Sequence, residues 1–252
     1  MSIETYGTGQ RLRFAAASLA SQAVREHLVL LPIPSTRDGT HVTSTEIPLS
    51  ETLVGVGQGS VVVGYGMPDS YIAEAAGLGA LAFDLSRDED FLLDNAYITA
   101  LGTIGYILNT DARIPREIVF GVVGYGRIGS QLLRMLLFLG ARAVVYTSRP
   151  LTHFELGECG VHSVCISGAT LGKYDFSGVD ILINTAPRDM TESFPEGRVP
   201  EGMRVIELAS GKNFSGVEGV EPLPALPEKM YPISSGRAYA DATLKFLNRT
   251  LR

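Results

Sequence analysis

The sequence predicts a two-domain α/β protein: a Rossmann doubly wound parallel sheet preceded by a smaller α/β domain of flavodoxin-like type, with a C-terminal helix packing back on that first domain. Three observations lead there. An apolar run stops at glycines spaced G-x-G-x-x-G, Gly124 to Gly129, and resumes as a helical pattern. On either side of that turn, short apolar runs bounded by turn residues alternate with helical stretches, which is the pattern of a parallel sheet. The chain of 252 residues is long for one domain and comfortable for two, each with enough material to bury a core.

In chain order, the first domain covers residues 1–94 and takes in the terminal helix over 236–252. The chain is read as starting near Tyr6 to Arg11 without a leading strand, so this domain is expected to be trimmed. Phe14 to Val24 follows two arginines but is broken by Ser18, Ser21 and Gln22 and preceded by Glu4, which favours a short surface helix over a signal peptide. Leu28 to Ile33 reads as a strand, followed by the turn-like Ser35 to Gly39. Ser60 to Tyr65 reads as a second strand, Ser70 to Leu78 as a short helix capped by its serine, and Ala80 to Phe83 as a third strand. Asn95 to Asp111 reads as a linker helix, weakened by Gly102 and Gly105. No apolar run approaches the roughly 18 residues of a membrane span.

The nucleotide-binding domain is expected over 95–235. Ile118 to Val123 reads as a buried strand and Gln131 to Leu139 as the helix after the glycines. Gly124 permits a tight turn, Gly126 removes a Cβ so that amides approach a pyrophosphate, and Gly129 lets the helix pack against the sheet. Tyr125, Arg127 and Ile128 line the same turn, and phosphate would sit at the helix N-terminus, where unpaired N–H groups and the dipole converge. Gly140 ends the helix, and Ala143 to Tyr146 is the next strand. An NAD enzyme usually carries an acid at the end of this strand, about 20 residues past the glycines. Here stand Thr147, Ser148 and Arg149. Hydroxyls and a guanidinium suit a dianionic 2′-phosphate, so NADP is expected over NAD; an ordinary solvated Arg149 is the alternative. Val179 to Asn184 and Met203 to Leu208 read as two further buried strands. Ligands of such sheets bind beyond the carboxyl ends of strands, which makes Asn184, Thr185, Ala186, Pro187 and Ala209 candidate cofactor contacts. Asn184 and Thr185 suit a ribose or nicotinamide contact and a plain turn equally.

A net charge of −6 provides no basic field for nucleic acid or an acidic membrane surface. Cys159 and Cys165 lack CxxC spacing, and the four histidines are scattered, so reduced thiols, no metal site and a cytoplasmic location are expected.

Leu31 to Arg37, Asn95 to Thr103, Gly124 to Gly129, Asp180 to Pro187, Glu207 to Ser210 and Pro224 to Gly236 together resemble, in order and spacing, the nucleotide-binding subunit of dipicolinate synthase, a relative of the D-2-hydroxyacid dehydrogenases. The resemblance covers most of the chain. It implies oxidation of a cyclic dihydrodipicolinate-type precursor to the aromatic dicarboxylate, with NADP taking the hydride, and a flavoprotein-like second subunit in endospore-forming bacteria. A homo-oligomer is expected. Under this reading Arg37 is the candidate carboxylate clamp, with hydroxyls from Thr99, Thr103, Ser234 and Ser235; an exposed turn arginine and helix-capping serines are the alternatives. Two charged residues of the family are replaced, by Leu101 and Ile233. Losing a charge-assisted hydrogen bond costs roughly 1.5–3 kcal/mol, which leaves an altered substrate or lost activity open. A 2-hydroxyacid dehydrogenase would need a carboxylate-supported His and an Arg in the rear half, whereas His153 and His162 come too early. A nucleotide-binding regulatory or scaffold subunit without catalysis is the third class.

Overall fold

The computed structural model describes residues 2–22, 26–166 and 174–250. The chain divides into two compact units, Met1–Ile98 with Pro227–Arg252, and Thr99–Leu226.

The first unit is built on β1 (Ser2–Thr5), β2 (His27–Leu30), β3 (Ser60–Gly64) and β4 (Leu81–Asp84). They form a parallel sheet in the order β1-β2-β3-β4. Apart from His27, β2 and β3 are buried along their whole length, because both faces of the sheet are covered, which is why they read as unbroken apolar runs. Alternate residues serve alternate faces. Leu28, Leu30, Val61 and Val63 meet Leu12, Ala15 and Leu19 of α1 (Gln10–Ala20). Val29, Leu31 and Val62 meet Tyr71 and Ala75 of α2 (Asp69–Gly77) and Leu49 and Leu53.

Beyond β4, α3 (Glu89–Thr110) leads out of the first unit. Near the end of the chain, α6 (Leu226–Met230) precedes α7 (Pro232–Thr250). As expected, the terminal helix joins the first core, through Tyr239, Ala242 and Leu247. A β-carbon at Gly236 would lie 2.8 Å from the Arg11 carbonyl oxygen, so glycine sets how closely α7 approaches α1. Tyr239 is fully buried, and its hydroxyl lies 2.8 Å from Val63 O and 3.1 Å from Leu31 O, its acceptors.

Several expectations change. The first domain is not trimmed of its leading strand: Ser2–Thr5 pairs in parallel with His27–Leu30. Four residues with one apolar side chain, Ile3, are too few for alternation to show. The four strands run in chain order, without the reversal of a flavodoxin-like sheet. α1 is two-faced, with Leu12, Ala15 and Leu19 in the core and Gln10, Arg13, Ala17 and Ala20 exposed; the Val24 end expected for it and the Leu251 end expected for the terminal helix lie outside the described residues. α2 starts after Pro68 and not at a Ser70 cap. α3 begins at Glu89, six residues before Asn95, because Asp88 Oδ1 accepts the Phe91 N–H at 2.8 Å, an N-cap bond. By length and composition α3 is apolar enough to cross a bilayer, with half of its most apolar window buried in the protein. Scattered Thr, Gly and Asn residues hid that in the sequence.

In the second unit, β5 (Val119–Val123), α4 (Arg127–Phe138), β6 (Arg142–Thr147), α5 (Pro150–Glu158) and β7 (Ser163–Cys165) are followed by β8 (Ile181–Asn184), β9 (Arg204–Glu207) and β10 (Val220–Pro222). The order β10-β9-β8-β5-β6-β7, with neighbouring strands parallel throughout, is the 3-2-1-4-5-6 arrangement of a Rossmann sheet, reversing direction between β5 and β8. β7 and β10, three residues each, are too short to show in the sequence pattern. One end of the sheet is braced by charge: Asp180 accepts the Val119 N–H at 2.7 Å and Arg113 Nη1 at 3.0 Å. Arg113 holds the Asp111 carboxyl down at about 2.

Candidate functional site

The reversal point of the larger sheet is where two turns meet. Leaving β5, Gly124 takes φ +90°, and its N–H donates to Tyr146 O at 2.9 Å. A β-carbon there would stand 2.8 Å from Thr185 Oγ1, in the turn after β8. A β-carbon on Gly129 would collide with the Gly124 carbonyl oxygen and lie 3.2 Å from the same hydroxyl. These two glycines are demanded by packing. Gly126 is not: at φ −93° any residue fits the backbone, and a β-carbon would meet nothing within 4 Å. It is also the N-cap of α4, and no side chain caps that helix. Tyr125 packs on the Leu133–Val145–Leu156 cluster and Ile128 on the one containing Leu132, so these two side chains turn inward, while Arg127 is exposed. An uncapped helix start, an open approach over Gly126 and a glycine-only crossing together fit a pyrophosphate.

The turn after β8 is fixed from within. Asn184, fully buried, accepts the Ala186 N–H at 3.1 Å and donates from Nδ2 to Ala186 O at 3.0 Å and to both Glu207 oxygens at 3.1 Å. Thr185 Oγ1 donates to Val123 O at 2.8 Å. Both side chains spend their hydrogen bonds on the turn. Ala186 is half-buried and Pro187 exposed. Two further groups belong here that sequence reasoning missed. Glu207, at the end of β9, also accepts the Ala209 N–H at 2.7 Å and Asn213 Nδ2 at 3.3 Å; burial pushes its carboxyl above the ordinary range. An acid inside the apolar run Met203 to Leu208 was the available signal. Arg188, just past Pro187, has its Nη1 buried without a hydrogen-bond partner among the described residues.

At the end of β6, buried Thr147 accepts the Arg149 N–H at 3.1 Å, while Ser148 and Arg149 are exposed. No carboxylate stands among these three residues.

The proposed substrate residues fall in both units. Arg37 is exposed on a turn that Asp38 organises by accepting the Thr40 and His41 N–H groups at 2.7 and 2.8 Å. Ser234 is exposed; Ser235 is buried and donates to Pro232 O at 3.2 Å. In the second unit Thr99 and Thr103 are buried, and the Thr103 hydroxyl donates to Thr99 O at 2.9 Å. Leu101 is half-buried and Ile233 is exposed. His153 bonds Ser163 Oγ at 2.8 Å, and His162 precedes β7, both away from the carboxyl ends of the strands.

Two parallel α/β units, the second with its sheet in Rossmann order and its glycine turn at the reversal point, define a two-unit Rossmann-type α/β fold. Among solved structures, a dipicolinate synthase subunit from Bacillus halodurans superposes with a TM-score of 0.78 at 22% identity, over 98% of this chain and 97% of that one. A dipicolinate synthase chain from Bacillus subtilis gives 0.76 at 19%, over 99% and 96%, and a transhydrogenase from Sinorhizobium meliloti 0.61 at 15%, over 98% and 92%. No family model matches the sequence, and no curated protein matches it. The resemblance read from the sequence is therefore met at the level of the whole fold.

Proposed function

We propose that the protein is an NADP-dependent oxidoreductase of the dipicolinate synthase type, corresponding to the nucleotide-binding subunit and acting on a small anionic cyclic dicarboxylate. The observation that carries this reading is the reversal point itself: an uncapped α4 with open space over Gly126, beside a β6 end that offers Ser148 and Arg149 and no acid. The amides opening α4 would hold the pyrophosphate, and Ser148 and Arg149 the 2′-phosphate. The nicotinamide, when bound, supplies a hydride acceptor. Thr185 and Asn184 keep the facing turn rigid, so that ring and substrate meet a fixed surface. Arg37 provides an exposed cation for a ring carboxylate. A flavoprotein-like second subunit, a homo-oligomeric state, a role in endospore formation and a cytoplasmic location belong to the same proposal.

The test is calorimetric titration of both cofactors. NADP should bind at least tenfold more tightly than NAD. Arg149→Ala should erase the difference, since a hydrogen bond to a charged group contributes about 1.5–3 kcal/mol. Equal affinities in the wild type would remove the NADP assignment.

Leu101 and Ile233, uncharged where the family carries charge, favour a second reading, a nucleotide-binding subunit without catalysis. It predicts cofactor binding with no hydride transfer, even when the second subunit is supplied.

A further inference from the structure

The first unit has its own strand–turn–helix junction, and the nucleotide reading makes no use of it. β1 ends at Thr5, the chain turns through Tyr6, Gly7, Thr8 and Gly9, and α1 begins at Gln10. Gly9 is the N-cap, and no side chain caps the helix. In its first turn stands Arg11, only 5% exposed. Its Nε and Nη1 are buried without a hydrogen-bond partner among the described residues. Buried charges persist in folded proteins when they are paired and hydrogen-bonded. A residue that breaks this rule at a strand's carboxyl end marks a place where stability has been given up for a task.

The surroundings say which task. Burial pushes the guanidinium below its ordinary range, opposed by the Glu228 carboxylate and the Tyr239 and Tyr65 hydroxyls. Tyr239 bonds the carbonyls of Leu31 and Val63, and Tyr65 directly follows β3, so the cation sits over the carboxyl edge of the sheet, where α/β proteins place ligands. Glu228, on the five-residue α6, has its carboxylate against the N-cap: a β-carbon on Gly9 would collide with Oε1. An acidic group thus already faces the start of α1, yet makes no ion pair with Arg11 within 4 Å among the described residues.

We propose that Arg11 and the amides opening α1 form a carboxylate site, and that a ligand carboxylate binds there by displacing the Glu228 carboxylate. The planar guanidinium fork matches a carboxylate in shape as well as charge. The choice of a ring dicarboxylate as ligand rests on the proposed function; the site itself does not need NADP.

Calorimetry on the full chain, without cofactor, tests this with pyridine-2,6-dicarboxylate as probe and uncharged pyridine as control. The dicarboxylate should bind and pyridine should not. Arg11→Lys, which keeps charge and loses the fork, should weaken binding at least tenfold. Glu228→Gln should tighten it at least threefold, because the displaced competitor has lost its charge. No dicarboxylate binding at millimolar concentration overturns the site, as does unchanged affinity in Arg11→Lys; a loss in Arg37→Ala alone assigns the clamp to Arg37 instead. If Arg11→Lys does not fold, Glu228→Gln decides, and unchanged or weaker binding there overturns the proposal. A separate NADP titration keeps the two readings apart: failure there leaves the carboxylate result standing.

Discussion

The protein contains two versions of one local design, a parallel strand running through glycines into a helix whose N-terminus has no side-chain cap. After β5, the turn is closed by backbone against backbone, with Gly129 on the Gly124 carbonyl, and the position between them faces open space. After β1, the glycine at the helix start lies against the carboxylate of Glu228, and an arginine is buried in the first turn. Under the proposed function, the first presents amides to a ligand that brings its own charge. The second holds a cation and an anion of its own in the same place. A helix N-terminus alone therefore says little about what binds there; the side chains that face it decide.

Replacing the glycines should separate the two designs by size of effect. Gly129→Ala forces a methyl group onto a carbonyl oxygen that cannot step aside, and overpacking of this kind costs about 1–3 kcal/mol. Urea denaturation should place it at the upper end of that range, with cofactor binding lost. A loss below about 0.5 kcal/mol, the ordinary surface range, would mean that the turn yields. At Gly9→Ala the obstacle is the end of a flexible glutamate, and φ is −68°. The cost should be about 1 kcal/mol or less, read from the same midpoint shift.

A smaller effect distinguishes the charged brace of the second unit. Asp111 has a folded carboxyl value of about 2 against about 3.9 when unfolded. A lowered value stabilises the fold above the unfolded value, and that contribution fades as pH falls from about 4 toward 2. Partly exposed ion pairs contribute about 0.2–1 kcal/mol, so stability measured across this window should decline less steeply in Asp111→Asn. Identical slopes would show that the brace contributes nothing. The smallest expected change in stability, within about 0.5 kcal/mol, belongs to Gly126→Val, which nevertheless should abolish binding of either nicotinamide nucleotide. Retained binding in that folded variant would move the nucleotide away from α4.

What the sequence made legible follows the same division. Gly124 and Gly129 announce themselves because steric demands of the backbone are written directly in residue type, and β2, β3, β5 and β8 do so because burial on both faces leaves apolar runs. The missing acid after β6 was equally plain, being a matter of three adjacent residues. β1, β7 and β10 were not legible, since β1 carries a single apolar side chain and the other two have only three residues each. Nor was the burial of Arg11, which depends on a helix more than two hundred residues further along the chain. Thr103 and Ser235 looked like free hydroxyls in one dimension, yet each donates to a carbonyl of its own helix. The pairing of Asn184 with Glu207 was likewise hidden, because nothing local to either residue announces the other.

That last pair has a mechanical meaning. Asn184 and Glu207 rivet the loops after two adjacent strands to one another, the first gripping Ala186 and the second gripping Ala209 and Asn213. The two loops are one hydrogen-bonded unit. A ligand that settles residues 184–187 would be felt at residues 208–213 without touching them, and a probe attached at exposed Lys212 would report events at the reversal point from outside it.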